Sequence, residues 1–167
     1  MDLLWFPTGG GKTEAYLAVI AMLLFYRRLS EKNDDEGAGV SVIMRYTLRV
    51  LTTQQFERAA NLICACEYLR KLDLSETNTK AFSIGLWIGS SSIPNLVAEA
   101  RNDNSNRAIQ IQECPCCHSR ILLGQDKSKF EIFCRNPDCN FGSSNEPLPI
   151  WTVDEDIYRV LPSFLIG

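Results

Sequence analysis

The chain has no surplus of positive charge: seventeen Lys and Arg stand against twenty Asp and Glu, a formal charge of −3 over 167 residues. No overall basic field advertises nucleic acid, so any contact with a strand has to be local. Long apolar runs are missing as well. The longest, Ala15 to Tyr26, falls short of the roughly 20 residues a membrane span needs, which argues against a membrane partner and for a buried helix. The N-terminus lacks the succession of charged segment, apolar segment and small-residue cleavage site that marks a leader, so a cytoplasmic location is expected. In that compartment seven cysteines favour metal over disulfides. There is no internal repeat, and 167 residues suffice for one domain with a core but not for two full α/β lobes.

What the chain does have begins at Pro7-Thr8-Gly9-Gly10-Gly11-Lys12-Thr13, set between the apolar run Leu3 to Phe6 and a long apolar helical pattern. This reads as a phosphate-binding loop. Glycines let backbone N–H groups approach phosphate oxygens, a lysine reaches the β- and γ-phosphates, and a hydroxyl holds magnesium. A preceding strand and a following helix are the required setting, because the helix start adds its dipole and free amides. Thr8, Gly9, Gly10, Gly11, Lys12 and Thr13 are therefore the candidate ATP-binding residues, with Lys12 and Thr13 the catalytic pair and Thr13 the magnesium ligand. The longer pattern G-x-x-x-x-G-K-[ST] wants glycine where Phe6 stands, so only the shorter form of the loop is matched.

Helical periodicity runs over 13–29 and again over 51–72, with a β-branched strand at 40–44 between them. Residues 30–39 are a polar loop, 81–88 a further strand, 95–107 a polar helix or linker, and 150–153 a return to strand character. Alternating elements of this kind predict an α/β fold with a mainly parallel, doubly wound sheet that takes its ligand at the carboxyl ends of the strands. Asp154 suits the N-cap of a short helix over 157–161, in preference to a role on magnesium with Glu155. The first strand follows Met1 at once and the chain stops in the apolar run Leu165-Ile166-Gly167, which reads as a fragment.

Composition shifts at Glu113. Cys114 and Cys117, sixteen intervening residues, then Cys134 and Cys139 come close to the C-x₂-C-x₁₅₋₂₀-C-x₂-C spacing of zinc sites, with a longer second turn. Four thiolates on two tight turns converge tetrahedrally on zinc, and a closed site of this kind is structural. On spacing alone Cys116 is the spare sulfur, although it is interchangeable with Cys117. His118, the single histidine, follows a ligand directly and points elsewhere. Cys64 and Cys66 lie two apart on a helical pattern and read as ordinary helix residues. The chain thus divides into a nucleotide-binding part over 1–112, a zinc-binding insert over 113–149 and a return to the first part over 150–167.

In "RYTLRVLTTQQFERA", residues 45–59, Arg49, Leu51 and Gln54 fall in register with the Pro-Thr-Arg-x-Leu-x-x-Gln motif that follows the second strand of superfamily 2 helicases and translocases. Taken with the loop, with "GLWIGSSSIPN", the cysteine segment and "VDEDIYRVLPSFLIG", the chain resembles the helicase subunits of DISARM anti-phage defence systems. That resemblance implies the first RecA-like lobe of an ATP-driven motor on DNA or RNA, interrupted by a zinc-ribbon-like insert. It also implies that Arg49 and the amides around Thr52 and Thr53 meet nucleic-acid phosphates, that the acidic motif lies beyond the chain, and that the partners are ATP, a nucleic-acid backbone and the rest of a larger helicase. Two other classes stay open on the residues themselves: a zinc-binding interaction module with a vestigial loop, and a different enzyme of the phosphate-loop type such as a small kinase. For the latter no acceptor site or catalytic base is found.

Overall fold

Residues 11–30, 37–45, 49–73, 80–142 and 146–167 are described by the computed structural model, with side chains for all of these except 49–53. In chain order the elements are α1 (Lys12–Ser30), β1 (Val42–Met44), α2 (Arg49–Asp73), β2 (Ile84–Leu86), α3 (Val97–Asn102), β3 (Ile121–Leu123), β4 (Ile132–Cys134), β5 (Ile150–Trp151), α4 (Asp154–Val160) and β6 (Phe164–Ile166).

Four of the strands form a parallel sheet in the order β1-β6-β2-β5. Its rows are read directly from the register: Val42, Phe164, Ile84 and Ile150 lie side by side, then Ile43, Leu165, Gly85 and Trp151, then Met44, Ile166 and Leu86. Since side chains alternate along a strand, the first and third rows share a face. That face meets the apolar sides of α1 and α2, and Phe164, Ile84, Leu86 and Ile166 join Ile20, Leu24, Phe56 and Ile63 in one buried cluster. Such near-continuous apolar strands are what a parallel sheet covered by helices demands. The middle row faces α4. A methyl group on Gly85 would stand 2.6 Å from Leu165 Cδ2, 3.1 Å from Pro162 Cγ and 3.4 Å from Ile157 Cδ1, so this row needs glycine for α4 to lie close to the sheet.

The direction of α1 follows from one buried cation. The guanidinium of Arg28, 7% exposed, donates to Gly37 O, to Lys80 O at 3.1 Å, to Ala81 O at 3.4 Å and to Ser163 Oγ at 3.3 Å. Those partners lie just ahead of β2 and β6, so the C-terminal end of α1 sits at the amino ends of the strands. Nineteen residues of helix span about 28 Å, which carries Gly11, Lys12 and Thr13 to the carboxyl ends. The first turn of α2, which follows β1, lies on the same edge, and an ion pair between Glu14 and Arg58 ties the two helices there.

Two expectations are corrected. α1 is not buried all round: Val19, Met22, Tyr26 and Leu29 are exposed, because the sheet and α2 take only its opposite side. The helix near residue 154 is capped at Val153, with no side-chain hydrogen bond, and Asp154 is its first helical residue. Phe164–Ile166 is a strand with neighbours on both sides.

Asp154, Glu155 and Asp156 together occupy the first turn of α4, where negative charge suits the helix dipole. Asp156 is buried and accepts the Phe130 amide at 2.7 Å. Burial raises its carboxyl above the ordinary range, against the opposing pull of the Phe130 amide and Arg159. A carboxyl with a higher value folded than unfolded takes up a proton on folding. Its contribution is therefore largest in acid and declines as pH climbs from the unfolded to the folded value. Asp156→Asn is expected to flatten that acidic slope, while Asp156→Ala, leaving the Phe130 N–H unpaired, is expected to cost about 1–3 kcal/mol. Urea unfolding across the acidic range measures both, and an Asp156→Ala chain as stable as the parent would refute the role.

Candidate metal centre and the start of helix α1

Cys114, Cys117, Cys134 and Cys139 bring their sulfurs within 4.8 Å of one another. Cys114 and Cys139 Sγ are 3.7 Å apart and Cys117 and Cys134 Sγ 3.3 Å. A zinc ion with four Zn–S bonds of about 2.3 Å places its sulfurs about 3.8 Å apart, so the cluster has the dimensions of one tetrahedral ion. The choice that spacing left open is resolved. Cys117 belongs to the cluster and Cys116 does not.

Local backbone builds the site. In the first turn the His118 N–H donates to Cys114 O at 2.9 Å and the Cys116 N–H to Cys114 Sγ at 3.4 Å. The second turn repeats the device, with Asn136 N–H donating to Cys134 Sγ at 3.3 Å and Cys139 N–H to Asn136 O at 3.2 Å. Amides aimed at sulfur favour the thiolate a metal needs. His118 closes the first turn with φ at 58° and its side chain out in solvent, in line with the expectation that it is no ligand. Gly142 seals the second, where a methyl group would stand 2.6 Å from Asn136 O. The antiparallel pair β3 and β4 holds the turns together, with Ile121 opposite Cys134.

Without a cation the four thiols compete for protons. Burial pushes Cys114 up and Cys134 up to about 11, while hydrogen bonds from the Ser119 side chain hold Cys117 down to about 6. Zinc binding therefore has to expel protons, and its affinity weakens as pH falls.

The cysteine segment shares the lobe's core rather than standing apart from it. Phe130, Ile132 and Phe141 belong to the same buried cluster as the sheet. Leu148 N–H donates to Ile132 O at 2.8 Å, and the Lys71 ammonium lies 5.1 Å from the Phe141 ring. Cys64 and Cys66, which the sequence left as ordinary helix positions, are both buried, and Cys64 lies beside the cluster. Cys114 lies 50 residues further along the chain, a separation that leaves no local signal.

Of the loop residues, Gly11 takes φ at 71° and its carbonyl accepts the Ala15 N–H at 3.1 Å, with Lys12 and Thr13 opening α1 behind it. Thr8, Gly9 and Gly10 lie outside the described residues. Arg49, Thr52 and Thr53 fall in the first turns of α2, and their side chains are likewise outside the description.

Fold and site define the class: an α/β domain on a parallel sheet carrying a four-cysteine centre of zinc dimensions. No family model matches the chain. The whole of it is 39% identical, over 194 aligned residues, to the DISARM protein DrmA of Bacillus paralicheniformis, of whose length it spans 17%. That similarity supports a DISARM-related origin. Among the described residues no helix is long and apolar enough to cross a membrane.

Proposed function

We propose that the chain forms the ATP-binding part of a nucleic-acid-dependent ATPase, a superfamily 2 helicase or translocase that serves anti-phage defence, with a structural zinc in its cysteine segment. In this reading residues 8–13 hold the triphosphate and its magnesium, Lys12 faces the β- and γ-phosphates, and Thr13 completes the magnesium shell. Arg49, Thr52 and Thr53 hold a nucleic-acid backbone without reading sequence. The observation that carries the reading is the position of Gly11, Lys12 and Thr13: a left-handed glycine leads into a helix start at the carboxyl ends of a parallel sheet, where such sheets take their ligands. Similarity to a DISARM protein supports the defence role.

Phosphoryl transfer also needs an acid to orient water and a positive group on the developing charge. The acids of α4 are engaged elsewhere. Asp154 lies beside the Trp87 side chain, Glu155 accepts the Val97 amide at 2.9 Å and pairs with Arg159, and Asp156 is buried on Phe130. The 167 residues are therefore expected to bind nucleotide without efficient turnover. Calorimetric titration of Mg-ATP into the zinc-loaded chain, with phosphate release followed in parallel, is the test. Saturable binding without release is expected. No association at millimolar nucleotide would refute the reading, and rapid hydrolysis would refute its account of the acids.

A further inference from the structure

The two faces of the β3–β4 hairpin differ in character. Ile132 and Cys134 are buried, and because side chains alternate along a strand, Phe133 and Arg135 point the other way, with Leu122 and Arg120 across from them. The Arg135 N–H donates to Arg120 O at 2.8 Å, which carries the register of Ile121 with Cys134 one pair further. Two arginines therefore stand directly opposite each other, their Cβ atoms about 5 Å apart, where like charges destabilise a strand pair. Both are exposed, and neither guanidinium hydrogen-bonds or forms an ion pair with any of the described residues. Glu113, bridged to Arg120 on its other side, has His118 as its ion partner, at 3.7 Å. Apolar groups complete the outer face. Leu122 is exposed, its partner Phe133 is half-buried, and the Phe133 ring lies over Gly124, where a methyl group would stand 2.8 Å from Cε2. The hairpin tip is fixed to the lobe: Arg101 of α3 donates to Gly124 O at 3.0 Å and to Lys129 O at 2.8 Å, and Arg159 of α4 donates to Ser128 O at 2.8 Å.

We propose that this outer face of β3–β4 binds single-stranded nucleic acid, with Arg120 and Arg135 on backbone phosphates and a base stacked against Phe133 beside Leu122. Two opposed cations without an acid of their own are relieved by an anion from outside, and a polyanion answers both at once. Residues 119–135 hold four Lys and Arg against two Asp and Glu, in a chain whose formal charge is −3, so the positive field is local. The aromatic ring decides between polyanions. An acidic polypeptide matches the arginines alone, whereas a strand matches arginines and ring together, which is how sequence-tolerant strand platforms are built. The proposal rests on the reading of the chain as part of a nucleic-acid motor for its ligand, and adds to that reading a contact separate from Arg49, Thr52 and Thr53.

The test follows the fluorescence anisotropy of labelled oligo-dT and oligo-U, each about 15 nucleotides long, titrated with the zinc-loaded chain between about 50 and 200 mM salt. Binding of either oligomer is expected, and their ratio gives the preference for DNA or RNA. The double variant Arg120→Gln, Arg135→Gln is expected to bind more weakly and to flatten the slope of log K against log salt by about 0.7 per arginine. Its zinc content should be unchanged and its unfolding midpoint equal to the parent's or higher, since a like-charge pair is gone. Phe133→Leu is expected to weaken binding about fivefold or more at an unchanged slope; should it lose its zinc, the arginine variants decide alone. A double variant that binds as the parent does, or a polyglutamate of equal charge that binds as tightly as the oligomers, would overturn the proposal. Arg49→Gln keeps the two readings apart: if it loses binding and the double variant does not, the motor reading stands and the hairpin site falls. No binding by the parent would remove the hairpin site and the Arg49 contacts together, leaving the nucleotide loop to be judged by the ATP titration.

Discussion

Stripping the metal from the chain is expected to dissolve the segment from Cys114 to Gly142 and to loosen the sheet with it. Structural zinc contributes on the order of 10 kcal/mol to small metal-built segments, comparable with the 5–15 kcal/mol that separates a whole domain from its unfolded state. The two turns are short, and only the three-residue strands β3 and β4 pair between them. Several of their hydrogen bonds close on the sulfurs themselves, as with Cys116 and Asn136 N–H, and the others, such as Cys114 N–H to Ser119 O and Cys139 N–H to Asn136 O, run between backbone groups of the segment, and four neighbouring thiols without a cation cannot all ionise. The effect should not stop at the segment, because Phe130, Ile132 and Phe141 are part of the core that buries Ile84 and Phe164. Elemental analysis is expected to find one zinc per chain. After chelation, hydrogen exchange should quicken first at Cys134 and Gly142 and then, more modestly, at Ile84 and Phe164. Cys134→Ala should reproduce the chelated state. A metal-free chain with unchanged protection at Cys134 would show that packing alone builds the turns.

This shared core is one respect in which the sequence reading was too local. Spacing picked out the four cysteines whose sulfurs cluster because a tight turn fixes which sulfurs converge, and that constraint lies within a few residues. It also found α1 and α2, whose periodic apolar positions recur over five turns or more. It read the alternation of strands and helices well enough to predict a mainly parallel sheet, but not which strands lie side by side. β6 has only three residues, Phe164–Ile166, between Pro162-Ser163 and Gly167. So short an apolar run carries no period, and only pairing with Val42 on one side and Ile84 on the other makes it a strand. The burial of Cys64 in the shared core and the task of Arg28 escaped for the same reason: each depends on partners far along the chain.

α4 shows the opposite failure, a local rule applied one residue away. Asp154 has the chemistry of an N-cap, yet the helix begins on it and leaves Val153 in the cap position. The reason lies in what its neighbours hold. Asp156 reaches the Phe130 amide and Glu155 the Val97 amide, so the turn is placed by contacts to the cysteine segment and to α3. Three acids in one turn then serve as anchors between elements.

Lys12→Ala is expected to abolish measurable ATP binding while leaving zinc content and the unfolding midpoint nearly unchanged. The separation follows from position. Lys12 is the first residue of α1 and is only partly buried, whereas the metal centre is built from residues beyond 113. A hydrogen bond to a charged group contributes about 1.5–3 kcal/mol, so losing the ammonium from a triphosphate site should weaken binding by about 10- to 150-fold. For an isolated chain of modest affinity that lies beyond detection. Thr13→Ala should behave differently, losing only the part of the affinity that magnesium supplies, so that titrations with and without the ion converge. Glu14, in the same turn, is held by Arg58; Arg58→Ala frees that carboxylate next to the phosphate site and should weaken binding several-fold, the more so at low salt. If Lys12→Ala binds Mg-ATP as tightly as the parent chain, the nucleotide sits elsewhere and the proposed loop is not its site.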